Sequence, residues 1–402
     1  MSIFLDDNIK SHCFGCEACV QVCSKAAITM EEDQDGFRYP LIDASKCVDC
    51  GMCRKVCPYD NMPQRYGEDK FVFGGYSLDK DIRFESTSGG AFSEIVNVYC
   101  DDNYVIFGAE ADGLEVFHRY ITNKRELGRF RKSKYSQSKI GTVYKDAKRF
   151  LKEGKKVLFS GTPCQIAGLK AYLGNTAYEK LLTIEVVCEG VPSPLYVRKM
   201  NKHIQAKYGA RIKSLDYRYT SRSFVAKGRW DFEQMKICTS NGKTLSKDRW
   251  FNPFWSIWLK HLMSRPSCYE CPFTNRERVA DITLGDLWGV HIYCPELYGR
   301  NGGASLVIGN TEKGNFVITE AAKNMYGHEL KFEDALRYQG PMRKPISDNP
   351  RREEFMTDLR SNMGYKQITK KWADRPSIRL LFQKYLWGNR QKVFVWNLFH
   401  KK

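Results

Sequence analysis

The sequence predicts an α/β protein with a small cysteine-rich module in front and a basic helical tail behind. Three observations carry that prediction. Eight cysteines between Cys13 and Cys57 fall in two copies of one spacing. Between residues 71 and 308, short apolar runs alternate with glycine turns that open helices, as strands do in an open α/β sheet. From Pro341 to Lys402 there are 15 Lys and Arg against 5 Asp and Glu, so more than half of the +18 formal charge lies in the last sixth of the chain.

The first cysteine run reads C-F-G-C-E-A-C-V-Q-V-C, Cys13 to Cys23, and the second C-V-D-C-G-M-C-R-K-V-C-P, Cys47 to Pro58. Three cysteines at intervals of three and a fourth after a gap of four let one short loop wrap an iron-sulfur cube. In the two-cluster bacterial ferredoxin pattern the fourth cysteine of each run serves the other cube. Cys13, Cys16, Cys19 and Cys57 are then the ligands of one 4Fe-4S cluster, and Cys47, Cys50, Cys53 and Cys23 those of the second. Zinc, the alternative metal, needs only one C-x2-C pair met by another pair or by histidines. Ser24 stands where the first run would carry a proline, a residue that ligates nothing. Ala27 to Met30 and Phe37 to Ile42 flank Asp35-Gly36 and read as a hairpin between the two loops. The module is assigned residues 1–65, with Asn61 to Lys70 as linker.

The totals set limits on the whole. A chain of 402 residues can bury a substantial core. Met1 to Lys10 contains Asp6 and Asp7 and no apolar stretch, which predicts no export signal. No run approaches the ~20 apolar residues of a membrane span. A reducing, cytoplasmic setting follows. The charge favours acidic partners: a phosphate-bearing cofactor, an acidic protein donor or an anionic membrane face. Nucleic acid fits the charge but not the redox cysteines.

Residues 71–330 are assigned to the α/β core. Phe71 to Leu78 reads as a strand leading into E-S-T-S-G-G-A-F-S-E, Glu85 to Glu94, a loop opening a helix. Such a helix start suits a phosphate or a flavin ring edge, and equally serves as a plain cap. Tyr104 to Gly108 and Leu114 to Ile121 read as strands. Lys124 to Lys139 is a basic run interleaved with Phe130 and Tyr135, either a solvated face or a contact to an anionic cofactor through Lys134, Tyr135, Gln137 and Ser138. Lys156 to Ser160 reads as a strand, Gly161-Thr162 as a turn, and Pro163 to Leu173 as a helix with Cys164 in its first turn. Leu181 to Val187 is a mainly apolar run followed by Cys188, as a buried parallel strand should be. Two cysteines thus sit at strand carboxyl ends, where open α/β sheets place their ligand crevice.

Further on, Tyr217 to Thr220 and Arg229 to Cys238 read as strands and Trp250 to Met263 as an aromatic-rich helix whose Trp255, Trp258 and Leu262 pack a core. Cys268-Tyr-Glu-Cys271-Pro follows, then a strand in Ala280 to Gly289 whose end delivers Asp286. Cys164, Cys188, Cys268 and Cys271 are the right number of thiols for a third cube, with zinc or buried free cysteines as alternatives. Cys100, Cys238 and Cys294 show no ligand spacing. Asn301 to Ile308 ends the sheet region with a glycine turn. Residues 331–402 form the basic helical tail; its aromatic and basic residues between Arg379 and Lys402 suit a helix on an anionic membrane at the inner face, or docking on its own domain or a partner.

S-T-S-G-G, K-Y-S-Q-S, S-G-T-P-C-Q, C-E-G-V-P-S, C-x2-C-P and A-D-I-T-L-G-D-L-W-G, in that order between Phe71 and Ile308, resemble the beta subunits of coenzyme F420-reducing hydrogenase and F420-linked dehydrogenases. That family also includes plant 7-hydroxymethyl chlorophyll a reductase. The front module resembles the two-cluster extension of some members. The resemblance implies an FAD and a 4Fe-4S cluster in the core. Carried over by motif, Ser88, Gly89, Gly90, Lys134, Gln137, Ser138, Thr162 and Gln165 line the flavin, and Cys164, Cys188, Cys268 and Cys271 ligate the core cluster. Many relatives read Cys-His-Gly where this chain reads Cys188-Glu189-Gly190, so the histidine's proton role does not transfer to Glu189. Glu189 and Asp286 are the candidates for proton handling. Some bacterial relatives are associated with surface-polysaccharide biosynthesis, so the substrate stays open between the deazaflavin and another soluble small molecule. The expectation is an iron-sulfur flavoprotein oxidoreductase with a redox partner protein. Its rivals are a flavin-free electron-transfer protein and a zinc-stabilised basic binding protein.

Overall fold

The computed structural model describes residues 3–67, 70–174, 178–221, 233–297, 303–387, 391, 394–395 and 398–399. In the front module, β1 (Ile28–Glu32) and β2 (Arg38–Ile42) form the hairpin expected around Asp35-Gly36, paired antiparallel from Ile28↔Ile42 to Glu32↔Arg38. The body is built on an eight-stranded mixed sheet. Its strands are β3 (Phe71–Ser77), β4 (Tyr104–Asp112), β5 (Glu115–Ile121), β6 (Lys156–Gly161) and β7 (Leu181–Val186). After a small antiparallel sheet of β8 (Ile212–Tyr219), β9 (Gln234–Thr239) and β10 (Thr244–Asp248), the chain returns to it as β11 (Ile282–Asp286), β12 (Ser305–Gly309) and β13 (Met325–Glu329). The order is β13-β3-β12-β11-β7-β6-β4-β5, with β4, β6, β7 and β11 mutually parallel.

Alternation within the central strands makes two apolar layers. Val157 and Phe159 face one side, with Val105, Phe107 and the helices Val143–Lys152 and Pro163–Leu173. Leu158 faces the other, with Ile106, Leu182, Ile184 and the helices Ala91–Tyr99 and Glu312–Ala322. Strands covered on both faces are mostly apolar, which is why β6, with Val157, Leu158 and Phe159, and β7, with Leu181, Leu182, Ile184 and Val186, were recognisable from sequence.

The front module is not a bead on a linker. Phe14, Cys16, Ala18 and Val56 belong to the same buried cluster as Phe107 and Phe159. Gln21 lends its Oε1 to the backbone N–H groups of Tyr144 (2.9 Å) and Lys145 (3.2 Å), so a side chain of the module satisfies the open start of the Val143–Lys152 helix. Glu17 likewise accepts from the N–H groups of Ile140 (3.2 Å) and Gly141 (3.1 Å). On the hairpin side, Ser193 donates to the Asp35 carbonyl (2.6 Å), and Arg360 pairs with Asp35 (2.8 Å).

Several boundaries differ from the sequence reading. Trp250 to Met263 is not one helix: a short turn at Arg249–Phe251 precedes Pro253–Trp258, because Asn252 accepts from the Phe254 N–H and restarts the helix at Pro253. Trp255, Trp258 and Leu262 are nonetheless core, packed with Tyr196, Tyr217, Phe355 and Trp372. The sheet does not end at Ile308, since β13 adds an outer strand beside β3. The strand expected from Arg229 begins at Gln234, its first residues 229–232 lying outside the described residues, as do Glu68 and Asp69 of the linker, Asn301 and Gly302 of the glycine turn, and Trp396 of the tail. Within the tail, Phe355, Met356, Leu359, Ile368 and Trp372 are buried, whereas Ile378, Phe382, Leu386, Phe394 and Phe399 are exposed. Among the described residues no helix is long and apolar enough to cross a membrane.

A buried ion pair ties the cysteine loop to the sheet. Glu185 on β7 and Arg278 are both fully buried; Arg278 Nε pairs with the Glu185 carboxylate, and Nη1 donates to the Phe273 carbonyl (2.9 Å). Thr283 Oγ1 supplies Glu185 with a further bond (2.9 Å). Removing one partner strands the other charge in a dry site. Arg278→Leu is expected to cost about 3–5 kcal/mol of stability, partly recovered by adding Glu185→Leu. Denaturant melts of the two chains followed by circular dichroism check both expectations.

Candidate functional site

The parallel strands β6, β7 and β11 end on one edge of the sheet, and β3, antiparallel to β12, runs the same way. The segments that leave this edge carry Ser88 to Gly90, Thr162 to Gln165, Cys188 to Gly190 and Asp286. A crevice at the carboxyl ends of parallel strands is where such a sheet collects ligands.

Four thiols from three places meet there. Cys164 stands in the first turn of the Pro163–Leu173 helix. Thr162 caps that helix, Gln165 answers the cap by accepting from the Thr162 N–H (3.0 Å), and Pro163 occupies its first position. Cys188 follows β7, Cys268 closes the turn Pro266–Cys268, and Cys271 comes three residues later. All four line one pocket, collared by Phe14, Val191, Phe273 and Ile346. Burial pushes every one of these thiols up, Cys268 to about 11 and Cys271 to about 12, and the neighbouring thiols add to the rise at Cys188 and Cys271. Thiols that stay protonated alone are the groups a metal centre draws off as thiolates. Four converging sulfurs with an apolar wall fit one 4Fe-4S cube, and by count they also fit tetrahedral zinc.

The front cysteines divide in two by depth. Cys13, Cys16, Cys19, Cys53 and Cys57 line a second pocket, walled by Phe4, Leu5, Met30 and Pro40. Burial raises Cys16 and Cys19 well above the ordinary thiol value and Cys57 to about 11, with Cys13 and Cys57 both acting on Cys16 and Cys19. Cys47 and Cys50 are exposed, and they act on Cys53. Cys23, half-buried, accepts from the Ala27 N–H (3.3 Å).

Close packing brings the inner front set to the core set. A Cβ on Gly168 would lie 2.9 Å from Cys16 Cβ and 3.1 Å from its Sγ, so only glycine lets the module approach this helix. Gly168 is four residues after Cys164 on the same helix, one turn or about 6 Å along the same face. On the other side of the loop, Gly15 adopts φ +67°, and a Cβ there would lie 2.7 Å from Gln137 Nε2 and 3.1 Å from the Arg265 guanidinium.

Arg265, which no sequence motif singled out, lies between the two sets. It is 1% exposed and donates from Nε to the Cys13 carbonyl (3.0 Å) and from Nη2 to the Arg38 carbonyl (3.0 Å). Its sequence signal is only proximity, three residues before Cys268.

The residues expected at a flavin are partly committed to the protein itself. Gln137 donates to the carbonyls of Phe14 (2.8 Å) and Gly15 (3.3 Å). Gln165 donates to Ser138 Oγ (2.8 Å), and Ser138 Oγ lies 2.7 Å from Nδ1 of the buried His118. Gly89 has a packing reason, since a Cβ there would meet the Gly75 carbonyl at 2.3 Å, and Gly90 takes φ +90° to start the Ala91–Tyr99 helix. Ser88 donates to the Ala304 carbonyl (2.7 Å). Two of the motif segments do converge: the Ser133 N–H donates to Thr87 Oγ1 (2.9 Å) and Arg131 to Ser93 Oγ (3.0 Å), with Lys134 alongside. Lys134 donates to the Arg131 carbonyl (2.7 Å), and burial lowers its ammonium to about 8. Hydroxyls, cations and a helix start at one edge fit the diphosphate part of a dinucleotide cofactor. Asp286 is held by Arg218 (2.5 Å), itself paired with Glu233 (2.7 Å), while Glu189 is lifted by burial and partly drawn back by Arg249.

Comparison with known proteins agrees with this arrangement of modules. Residues 154–334 match the family described as the C terminus of the coenzyme F420 hydrogenase/dehydrogenase beta subunit, and residues 12–61 match the 4Fe-4S dicluster domain. A coenzyme F420-dependent sulfite reductase of Methanocaldococcus jannaschii is 31% identical over 39% of this chain and 24% of its own length. An NADH-quinone oxidoreductase subunit I 2 of Geobacter metallireducens is 34% identical over 16% of this chain and 58% of its own length. The chain thus spans about a quarter of the first relative and under two thirds of the second. A solved chain of the F420-reducing NiFe hydrogenase complex from Methanosarcina barkeri superposes with a TM-score of 0.42 at 16% identity, covering 76% of this chain and 91% of that one. Residues 154–334 are thus similar to the C terminus of the coenzyme F420 hydrogenase/dehydrogenase beta subunit, and they stand behind a stretch that matches a 4Fe-4S dicluster domain.

Proposed function

We propose that the chain is an iron-sulfur flavoprotein oxidoreductase whose front module, residues 1–65, passes electrons into a flavin-bearing core, residues 71–330. The observation that carries this reading is the contact of Cys16 with Gly168, one helical turn from Cys164. Two cysteine sets packed that closely serve one electron path. In this reading Cys13, Cys16, Cys19 and Cys57 hold the inner front cube, Cys47, Cys50, Cys53 and Cys23 the outer one, and Cys164, Cys188, Cys268 and Cys271 a third. The exposure of Cys47 and Cys50 supports entry from a redox partner protein at the outer cube.

A bound flavin would supply the one chemistry the cubes lack, exchange of a hydride with a substrate against single electrons. Thr87, Ser88, Arg131 and Lys134 are the groups on this chain that would hold its phosphates at the carboxyl edge. Glu189, its acid strength weakened by burial, is the better placed of the two carboxyls to give up a proton, because the Asp286 carboxylate is engaged in an ion pair with Arg218. The substrate class is a soluble small molecule, the deazaflavin or another hydride acceptor. A flavin-free electron-transfer protein is the second reading, favoured by the inward bonds of Gln137, Ser138 and Gln165. The exposed apolar residues of the tail beside Arg375 and Arg379 support contact with an anionic membrane face.

Anaerobically purified protein is expected to hold about twelve irons and one flavin per chain, three cubes at four irons each. Full iron without flavin would establish the second reading, and zinc in place of iron would overturn both. Gly168→Leu is expected to cost about 1–3 kcal/mol of stability by overpacking and to slow reduction of the core by the front module, read by stopped-flow absorbance. FAD affinity is expected to hold level up to about pH 8 and to fall above it, because Lys134 is charged below that value and neutral above. Lys134→Met flattens that profile in a fluorescence titration if the residue binds the phosphates. Deleting residues 378–402 is expected to abolish sedimentation with anionic vesicles.

A further inference from the structure

We infer that Arg265 is the shared counter-ion of the inner front cube and the core cube, and that its charge holds their potentials up together. This deepens the reading above and rests on it.

Among the described residues the other buried arginines come with carboxylates, Arg249 with Glu233. Arg278 has Glu185, and Arg218 has Glu233 and Asp286. Arg265 is as buried as Arg278, yet among the described residues no carboxylate lies within ion-pair distance of it. Its guanidinium is occupied by neutral acceptors: the carbonyls of Cys13 and Arg38 (both 3.0 Å) and Gln137 Oε1 (3.2 Å). Its plane lies over the Tyr39 ring at 4.3 Å. A dry guanidinium needs negative charge nearby, and hydrogen bonds to neutral oxygens do not supply it.

Two sources of that charge flank it. On one side Nη2 reaches Cys13 Sγ at 3.5 Å. On the other, Arg265 lines the pocket of Cys164, Cys188, Cys268 and Cys271. Backbone bonds fix it there, from its own N–H to the Val191 carbonyl (2.9 Å) and from the Cys268 N–H to its own carbonyl (2.9 Å). A 4Fe-4S cube with four thiolates is anionic in both redox states and gains one further negative charge on reduction. A fixed cation therefore favours the reduced form of any cube beside it. With both cubes bound, an electron moving inward would take one negative charge from the front site and add one to the core site. Arg265, a permanent cation beside both cysteine sets, would then compensate the charge at either site without a proton having to follow the electron.

The test is EPR-monitored redox titration of the full chain purified anaerobically, with signals assigned by Cys50→Ser and Cys271→Ser chains. Arg265→Gln, which keeps hydrogen-bonding capacity without the charge, is expected to shift the midpoints of the inner front and core cubes to lower potential and leave the outer cube unmoved. Arg265→Lys, which restores the charge, is expected to return both toward wild type. Unchanged midpoints at full iron content, a shift in one cube alone, or an equal shift in all three overturns the inference. If Arg265→Gln loses iron, Arg265→Lys decides: wild-type midpoints support a charge role, and lowered midpoints overturn it. About eight irons in the wild-type chain would overturn the core-cube reading itself, an outcome distinct from twelve irons with unmoved potentials.

Discussion

The absent side chain at Gly168 is the constraint on which the rest of the structure depends. Because nothing projects from the helix there, Cys16 can lie against it, and the apolar residues Phe14, Ala18 and Val56 close over the same core as Phe107 and Phe159. The polar seams are then forced into register. Gln21 reaches backbone N–H groups at the start of the Val143–Lys152 helix, Glu17 those of Ile140 and Gly141 just before it, and the hairpin tip meets Ser193 and Arg360. A module held by shared core and borrowed helix caps has a fixed distance to its neighbour, which a tethered one has not.

Charge is handled differently at the two ends of this interface. Beneath the sheet edge, Glu185 and Arg278 neutralise each other at a cost in desolvation that only their mutual bonds repay. Between the cysteine sets a lone guanidinium is left among carbonyls and thiols. The first arrangement is complete within the protein, and the second becomes complete only with anionic groups on its flanks.

The sequence was most legible where local chemistry is covalently spaced. The cysteine runs, the Pro163 helix and the mainly apolar strands β6 and β7 could be read directly, because each depends on residues close in the chain. Trp250 to Met263 misled because helical spacing of Trp255 and Trp258 persists through a break set by Asn252. The edge strand β13 was missed since Met325–Glu329 carries little apolar pattern and is placed by its neighbour β3. The partners of Gln137 and the burial of Arg265 depend on contacts 123 and 252 residues apart in sequence, which no local pattern reports. Gly168 was equally silent, as a single helical glycine looks like a mere weak point until its neighbour is known.

The unequal depth of the front cysteines has a chemical corollary. Sulfur that meets solvent is attacked first by oxygen and peroxide, and Cys47 and Cys50 are the exposed ones while Cys16 is buried against a helix. In the proposed electron path, oxidative damage would therefore begin at the outer end and sever the chain from its supply before reaching the interior. Air-exposed protein would keep its inner metal sulfur centres, coloured and intact, while standing disconnected from whatever fed them.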